Sequence, residues 1–401
     1  MNGFIYDIPT KVYFGENQLC HMGEELVKFG KNVLLVYGGG SIKKIQVPDL
    51  QTESEETRSL YDRLLKEMKA VDLTVCELSG VEPNPRIETV RAGANLCKEK
   101  QVDVILAVGG GSTIDAAKFM AAGACVDHDP WDFFVNKVPV KEALPIVTVL
   151  TIAATGSEMD NIGVISNMVT RDKIGVGAPA LLPKVSFLDP TLTYSVNNYQ
   201  TACGAADIFS HVMETYFLKG EDMYMLDTVM EGLMKTVIKY GPIALAEPDN
   251  YEARANLMWA SSWAINGFVL GGKKKTWSCH TMEHQLSAVY DITHGLGLAI
   301  IMPRWLAYCL DEERLPRYVQ FGVNVFGIDA KLPKMEIAKT SIQMLSDFLF
   351  KDLGLDDTFT KIGVEEKEFP AMAVKACKGN RVNGFKTLYP EDVEKIYQMC
   401  L

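Results

Sequence analysis

In the first half of the chain, apolar residues gather in short β-branched runs at 32–37, 73–78, 104–108, 145–150 and 185–188. Between them lie longer stretches, such as 60–70 and 86–100, whose apolar positions recur at helical spacing. Apolar runs of strand length alternating with helical periodicity predict βαβ units and a parallel sheet. Past Asp189-Pro190 the texture changes, and segments 204–217, 223–240, 250–270 and 335–353 keep the helical period while strand-like alternation nearly disappears. The pattern predicts an α/β N-terminal domain over 1–190, with a parallel Rossmann-like sheet, followed by an all-α helical domain over 191–401; whether the first is a dinucleotide-binding domain turns on the loops at its strand ends. No internal repeat or low-complexity tract points to a solenoid or a disordered tail.

Composition narrows the functional classes. With 401 residues, 48% of them apolar, the chain can bury a core in each of two domains. A net charge of -11 argues against a nucleic-acid partner, whose phosphates call for clustered Lys and Arg. Nine scattered cysteines without a C-x-x-C pair read as reduced thiols rather than a disulfide framework. The opening MNGFIYDIPTKVYFG has neither a basic leader nor a continuous apolar region, and no run reaches the length of a membrane span. A cytoplasmic protein with no membrane partner is the expectation.

Candidate chemistry in the first half lies where apolar runs end. Gly109, Gly110, Gly111 and Ser112 follow one run and open a helical stretch that carries Asp115. Glycines let a backbone approach an anion closely, and the free N–H groups and dipole of a helix N-terminus attract its charge. A second cluster, Gly38, Gly39, Gly40 and Ser41, follows Tyr37, with Lys43 and Lys44 behind it and no acidic residue at the strand end. NAD enzymes commonly place a carboxylate there for the ribose 2′-hydroxyl; small neutral residues with lysines nearby suit NADP. A third loop, Thr151-Ile-Ala-Ala-Thr155-Gly-Ser-Glu158, presents hydroxyls where a crevice ligand is expected, and Thr155 with Glu158 also fits a helix-capping pattern.

In the second half, Asp207 and His211 stand four residues apart, so a helix projects both from one face. His280 and His284 repeat the spacing and His294 follows; of only six histidines in the chain, these four cluster between 211 and 294. Nitrogen and oxygen donors without thiolate suit Zn(II) or Fe(II), and three histidines with one carboxylate leave coordination open for substrate. Five candidates for four places leave one histidine over, which spacing does not identify. Cys203 and Cys279 read as packing residues.

The motifs Tyr37-Gly-Gly-Gly-Ser, Val81-Glu-Pro-Asn-Pro-Arg, Ala107-Val-Gly-Gly-Gly-Ser-Thr-Ile-Asp-Ala-Ala-Lys, Thr151-Ile-Ala-Ala-Thr-Gly-Ser-Glu-Met, Ala180-Leu-Leu-Pro-Lys and His280-Thr-Met-Glu-His, in this order, resemble the iron-containing (group III) alcohol dehydrogenases from end to end. The likeness is strongest to the NADPH-linked butanol dehydrogenase and aldehyde reductase branch. The resemblance implies a dehydroquinate synthase-like fold and hydride transfer between NADP(H) and primary alcohols or short-chain aldehydes. It implies a metal set of Asp207, His211, His280 and His294, with His284 free of the metal, lining the substrate cleft as a proton relay. It further implies that Gly110, Gly111 and Ser112 hold the pyrophosphate, that Thr151 and Thr155 touch the cofactor, that Gly39, Gly40 and Ser41 surround the 2′-phosphate, and that Lys173 lies near the ribose. A homodimer formed through the segment 4–14 is the corresponding family expectation.

Two departures stand out. Asp160 replaces the Asn expected after Gly-Ser-Glu-Met, and the approach to His280 reads Gly272-Lys-Lys-Lys-Thr-Trp-Ser-Cys where Pro, Gly and Asp are expected. Two other classes compete. A same-fold lyase like dehydroquinate synthase would need basic residues around a phosphorylated substrate, for which Lys273, Lys274 and Lys275 are the candidates. A metal hydrolase without redox activity explains only the second half.

Overall fold

The computed structural model describes residues 3–48, 57–136, 138–218, 223–274 and 276–401. The chain folds into two compact units, neither of them contiguous in sequence. One comprises Asp7–Val196 and Asp249–Met258; the other comprises the residues up to Tyr6, Asn197–Pro248 and Trp259–Leu401.

The first unit is built on a six-stranded, all-parallel sheet. Its strands are β1 (Lys11–Phe14), β2 (Asn32–Tyr37), β5 (Thr74–Leu78), β6 (Val104–Gly109), β7 (Ile146–Leu150) and β10 (Val185–Leu188), in the order β1-β10-β7-β6-β2-β5. Two antiparallel pairs stand outside it, β3 (Gln46–Pro48) with β4 (Thr57–Ser59), and β8 (Ile162–Asn167) with β9 (Asp172–Gly177). The five apolar runs became five of the six strands. The antiparallel pairs escape a period-based reading because the sequences Thr-Arg-Ser and Asp-Lys-Ile-Gly-Val-Gly carry too few apolar residues to alternate visibly.

Why the runs are continuously apolar is visible in the two cores. Leu34, Val36, Ile105 and Ala107 face one side with Ile87, Val90, Phe119 and Met120, while Val33, Leu35, Val104, Leu106 and Val108 face the other with Leu26, Leu60, Leu64 and Met68. Successive strand residues point to opposite faces, so a strand covered on both faces must be apolar at every position. Each such Val, Leu or Ile contributes about 1.5–3 kcal/mol by leaving water. The covering helices are α1 (Met22–Leu26), α2 (Leu60–Lys69), α3 (Ile87–Glu99) and α4 (Gly111–Ala124), with a short α5 (Asp132–Val135). Because the strands are parallel, the loops leaving β2, β6 and β7, which are neighbours, emerge along one edge of the sheet.

The second unit is helical, and no strand occurs in it among the described residues. Its helices are α6 (Asn198–Tyr216), α7 (Tyr224–Ala246), α8 (Tyr251–Ile265, whose first residues belong to the sheet unit), α9 (Cys279–Tyr290), α10 (His294–Cys309), α11 (Leu315–Phe326), α12 (Lys334–Asp347), α13 (Phe369–Ala376) and α14 (Pro390–Gln398). Asn197 caps α6 through its side chain, which accepts from the backbone N–H of Gln200, and every residue from Thr201 to Tyr216 is buried. A helix buried all round must be packed by others on every side. The close partner is α10, where a Cβ on Gly295 would lie 2.0 Å from the Cys203 carbonyl oxygen. This contact brings the first turn of α10, with His294, against the helix that carries Asp207 and His211. No helix among the described residues is long and apolar enough to cross a membrane.

Candidate functional site

The sheet unit gathers the three predicted loops at one edge. Gly109 ends β6, Gly110 is the N-cap of α4 in extended backbone, and Gly111 and Ser112 form its first turn. At Gly111 the absence of a side chain is required, since a Cβ there would lie 2.2 Å from Thr155 Oγ1. That contact seats the loop after β7 against the glycine turn, and the Thr151 N–H donates to the Gly109 carbonyl at 3.0 Å. Gly38, Gly39, Gly40 and Ser41 leave β2, with Gly40 at φ 90° introducing a short turn over Ser41–Lys43. The helix-capping reading of Thr155 and Glu158 is not realised: Gly156 turns left-handed at φ 67°, only a 3-10 turn follows, and Thr155 Oγ1 accepts from the Ser157 N–H instead.

Charged side chains brace these loops. Asp115, on α4, accepts from the Ser157 hydroxyl at 2.6 Å and from the Val164 N–H at 2.9 Å, so it ties the loop and β8 to the helix. Desolvation pushes its carboxyl up to about 6, against the lowering effects of Lys118 and the Ser157 hydrogen bond. Lys118, fully buried, donates to Asp160 Oδ1 and to the Ile162 carbonyl, both at 2.6 Å. The carboxylate at 160 that departs from the expected Asn is therefore the partner of a buried ammonium. Lys173 is also buried and donates to Asn84 Oδ1 at 2.9 Å, joining β9 to the Val81–Arg86 motif.

The strand end before Gly38 has an acidic neighbour that its own sequence does not reveal. Glu77, on the adjacent β5, accepts from the hydroxyls of Tyr37 at 2.9 Å and Tyr61 at 2.6 Å. Lys43 stacks over the Tyr61 ring, 4.6 Å from its centroid. It also lines an open cavity of about 640 Å³ with Arg58, Lys66, Lys69 and Asp62.

The helical unit brings the metal candidates together. His211 Nδ1 lies 3.8 Å, His280 Nε2 3.9 Å and His294 Nε2 3.8 Å from one oxygen, Asp207 Oδ1. These separations exceed hydrogen-bond length, but fit donors that share an ion about 2.0–2.2 Å from each, which places them at most roughly 4.4 Å apart. The buried His280 Nε2 has no hydrogen-bond partner among the described residues, a costly state for a ring nitrogen unless an ion takes it up. Asp207, His211 and His280 are buried, while His294 keeps 22% of its side chain exposed, the open flank a substrate needs. The donor set therefore fits a divalent ion. His284 lies one turn along α9, half-buried, its ring centroid 6.4 Å from that of His280 and 5.6 Å from that of His294. Cys203 and Cys279 are packed inside; burial pushes the Cys203 thiol up to about 12, and burial, with Glu214 nearby, also raises that of Cys279.

Two carboxylates that sequence reasoning passed over stand behind the imidazoles. Glu214, from α6, meets His280 Nδ1 at 2.5 Å; Glu283, from α9, meets His294 Nδ1. A signal was present: 207, 211 and 214 are spaced i, i+4, i+7, and 280, 283 and 284 share one helix face. In the unusual approach to His280, Trp277 packs its ring 4.5 Å from that of His280. Burial and the neighbouring Arg317 lower Lys273 to about 8, and it donates to the Thr215 carbonyl. Lys275 lies outside the described residues.

Comparison with known proteins accounts for both units. Residues 9–190 match the iron-containing alcohol dehydrogenase family, and residues 201–401 match the C-terminal region of the Fe-containing alcohol dehydrogenase family. The chain is 46% identical over 400 residues to an NADH-dependent butanol dehydrogenase A of Clostridium acetobutylicum, covering 99% of each. It is 35% identical to the NADPH-dependent aldehyde reductase YqhD of Escherichia coli, covering 94% of this chain and 93% of that one. A crystal structure of an NADH-dependent butanol dehydrogenase A from Thermotoga maritima superposes with a TM-score of 0.91 at 35% identity, over 100% of this chain and 99% of the other. The alcohol-dehydrogenase matches span both halves and leave the lyase and hydrolase alternatives without an observation in their favour. With the sheet, the glycine loops and the histidine cluster all accounted for by one set of relatives, the chain belongs to the iron-containing alcohol dehydrogenase family, in its butanol dehydrogenase branch.

Proposed function

We propose that the chain transfers hydride between NADP(H) and primary alcohols or short-chain aldehydes, with Asp207, His211, His280 and His294 holding one Fe(II) or Zn(II). The observation that carries this reading is the convergence of three imidazole nitrogens on Asp207 Oδ1. When bound, such an ion supplies Lewis acidity toward a carbonyl or alcohol oxygen, and the dinucleotide supplies the hydride. The protein binds and orients. Backbone N–H groups at the start of α4 seat the pyrophosphate, Thr151 and Thr155 lie beside them, and Asp115 and Lys173 hold the surrounding loops in place. Trp277 shields one side of the histidine cluster from water. His284, half-buried and close to the ligand rings, passes a proton at its imidazole nitrogens between the alcohol oxygen and solvent.

Cofactor choice follows from the charge around Gly38–Ser41. Lys43 and the basic side chains of the adjoining cavity support a 2′-phosphate, and hence NADP(H). A second reading, NAD(H), is favoured by the names of the Clostridium and Thermotoga relatives and by Glu77 behind Tyr37. We also propose a cytoplasmic homodimer joined through segment 4–14, where Phe4, Ile5, Tyr6 and Phe14 are exposed; light scattering on the purified protein tests it.

The deciding experiment is a panel of short linear and branched aldehydes with NADPH and NADH, run on protein stripped of metal and reloaded with Fe(II) or Zn(II). Turnover that vanishes on chelation and returns with metal, with a higher kcat/KM for NADPH, is expected. Activity indifferent to chelation removes the metal mechanism; a higher kcat/KM for NADH transfers the assignment to NAD(H).

A further inference from the structure

We infer that Glu214 and Glu283 are positioning residues that aim two of the metal-facing imidazoles, and that metal affinity depends on both. The inference rests on the proposed metal set and extends it to two side chains outside that set.

Each carboxylate meets the Nδ1 of a ring whose Nε2 faces Asp207 Oδ1. An Nδ1–H donated to a carboxylate leaves the Nε2 lone pair free for a metal, holds the ring at a fixed angle, and makes it a stronger donor. Glu214 does this with little freedom. Its Oε1 accepts from both the backbone N–H of His280 at 3.0 Å and the ring at 2.5 Å, and its Oε2 accepts from the N–H groups of Ser278 at 2.5 Å and Cys279 at 2.8 Å. These backbone donors are the ones a helix start leaves unsatisfied. One carboxylate from α6 therefore caps α9 and aims its first histidine, so the Asp207 and His280 halves of the site are set relative to each other by a single buried side chain.

Glu283 is fully buried and is held by the Ser287 hydroxyl on its other oxygen. Its place is made by Gly297, where a Cβ would lie 2.8 Å from Glu283 Cγ and 3.0 Å from Ile292 Cδ1. The glycine two residues after the close contact of Gly295 thus serves the carboxylate rather than the helix packing. With Asp207, the two glutamates place three carboxylates around one cation site. That arrangement favours a divalent ion electrostatically and disfavours the empty site.

The test measures Zn(II) affinity by competition with a chromophoric chelator, and the visible absorption of the Co(II)-loaded protein, in wild type, Glu283→Ala, Glu283→Gln, Gly297→Ala and Glu214→Gln. Glu283→Ala is expected to weaken Zn(II) binding about 10- to 100-fold and to shift the Co(II) bands. Glu283→Gln, whose amide oxygen still accepts from His294 but carries no charge, is expected to lose less. Gly297→Ala should reproduce the weakening with Glu283 still present. Circular dichroism of the metal-free proteins separates these effects from unfolding, and if Glu214→Gln does not fold, the Glu283 and Gly297 variants decide. Wild-type affinity and unshifted Co(II) bands in Glu283→Ala overturn the inference. A wild-type protein that takes up neither ion overturns the metal reading itself, and the inference with it.

Discussion

The two units prepare their sites by opposite means. In the sheet unit the predicted ligand seat is made largely of backbone: glycines at strand ends, the bare start of α4, and a loop pressed so close to Gly111 that no side chain fits. Ionised groups stay behind it, with Lys118 and Asp160 paired out of water. In the helical unit the site is made of side chains, three imidazoles around one carboxylate oxygen, and the charges stand in it or directly behind it. The difference teaches what each ligand demands. A polyanion is met by many weak N–H dipoles, which cost little when unoccupied. A divalent ion is met by a few strong donors that must be aimed by other residues.

If the two regions work separately in this way, they should fail separately. The largest effect is expected from Asp207→Ala, which removes the oxygen on which the histidines converge. Turnover should fall by about three orders of magnitude, given the several kcal/mol a Lewis-acid ion contributes. Fluorescence titration should meanwhile find the reduced dinucleotide still bound; loss of both together would break the comparison.

Next in size is Asp160→Ala, which leaves the Lys118 ammonium buried without its carboxylate. A stability loss of about 3–5 kcal/mol is expected from uncompensating a buried pair. Thermal unfolding reads it directly, and a raised KM for the dinucleotide at unchanged metal content would place the damage in the loop after β7. Asp160→Asn keeps an acceptor for Lys118 and should cost less.

The smallest effect concerns Asp115. Its carboxyl, held up at about 6 by desolvation, lies above its unfolded value of about 3.9. Between these values the folded state holds more protons than the unfolded one, so this residue's contribution to stability falls as pH rises from about 4 to about 6. Asp115→Asn should remove that fall, seen as a change of a few degrees in the slope of Tm against pH across the window. An unchanged slope would mean that Asp115 is well solvated.

Much of the site was legible because its signals are local. The spacing of Asp207 and His211, the paired histidines of α9 and the glycine triplet after β6 are all set within a turn or two of backbone. The residues that were missed act over distance: Glu77 reaches Tyr37 from a strand 40 positions away, and Glu214 reaches His280 across 66. The spacing of Glu214 puts it on the helix face of Asp207 and His211, but it does not name a partner on another segment. The antiparallel pair β8–β9 escaped for a related reason, since its partial burial leaves no clean alternation.

By itself the sequence determined the class of the fold, because a strand buried on two faces must be apolar throughout and a helix must repeat its apolar positions near every third or fourth residue. It also determined which residue types were available to a metal and where a phosphate would find bare N–H groups. Only the tertiary structure decided which oxygen the histidines face, which carboxylates hold His280 and His294 from behind, and that Asp160 answers a buried lysine. Those are relations between segments that meet through packing, and hydrogen bonds and ion pairs depend on separations of a few tenths of an ångström that no one-dimensional pattern carries.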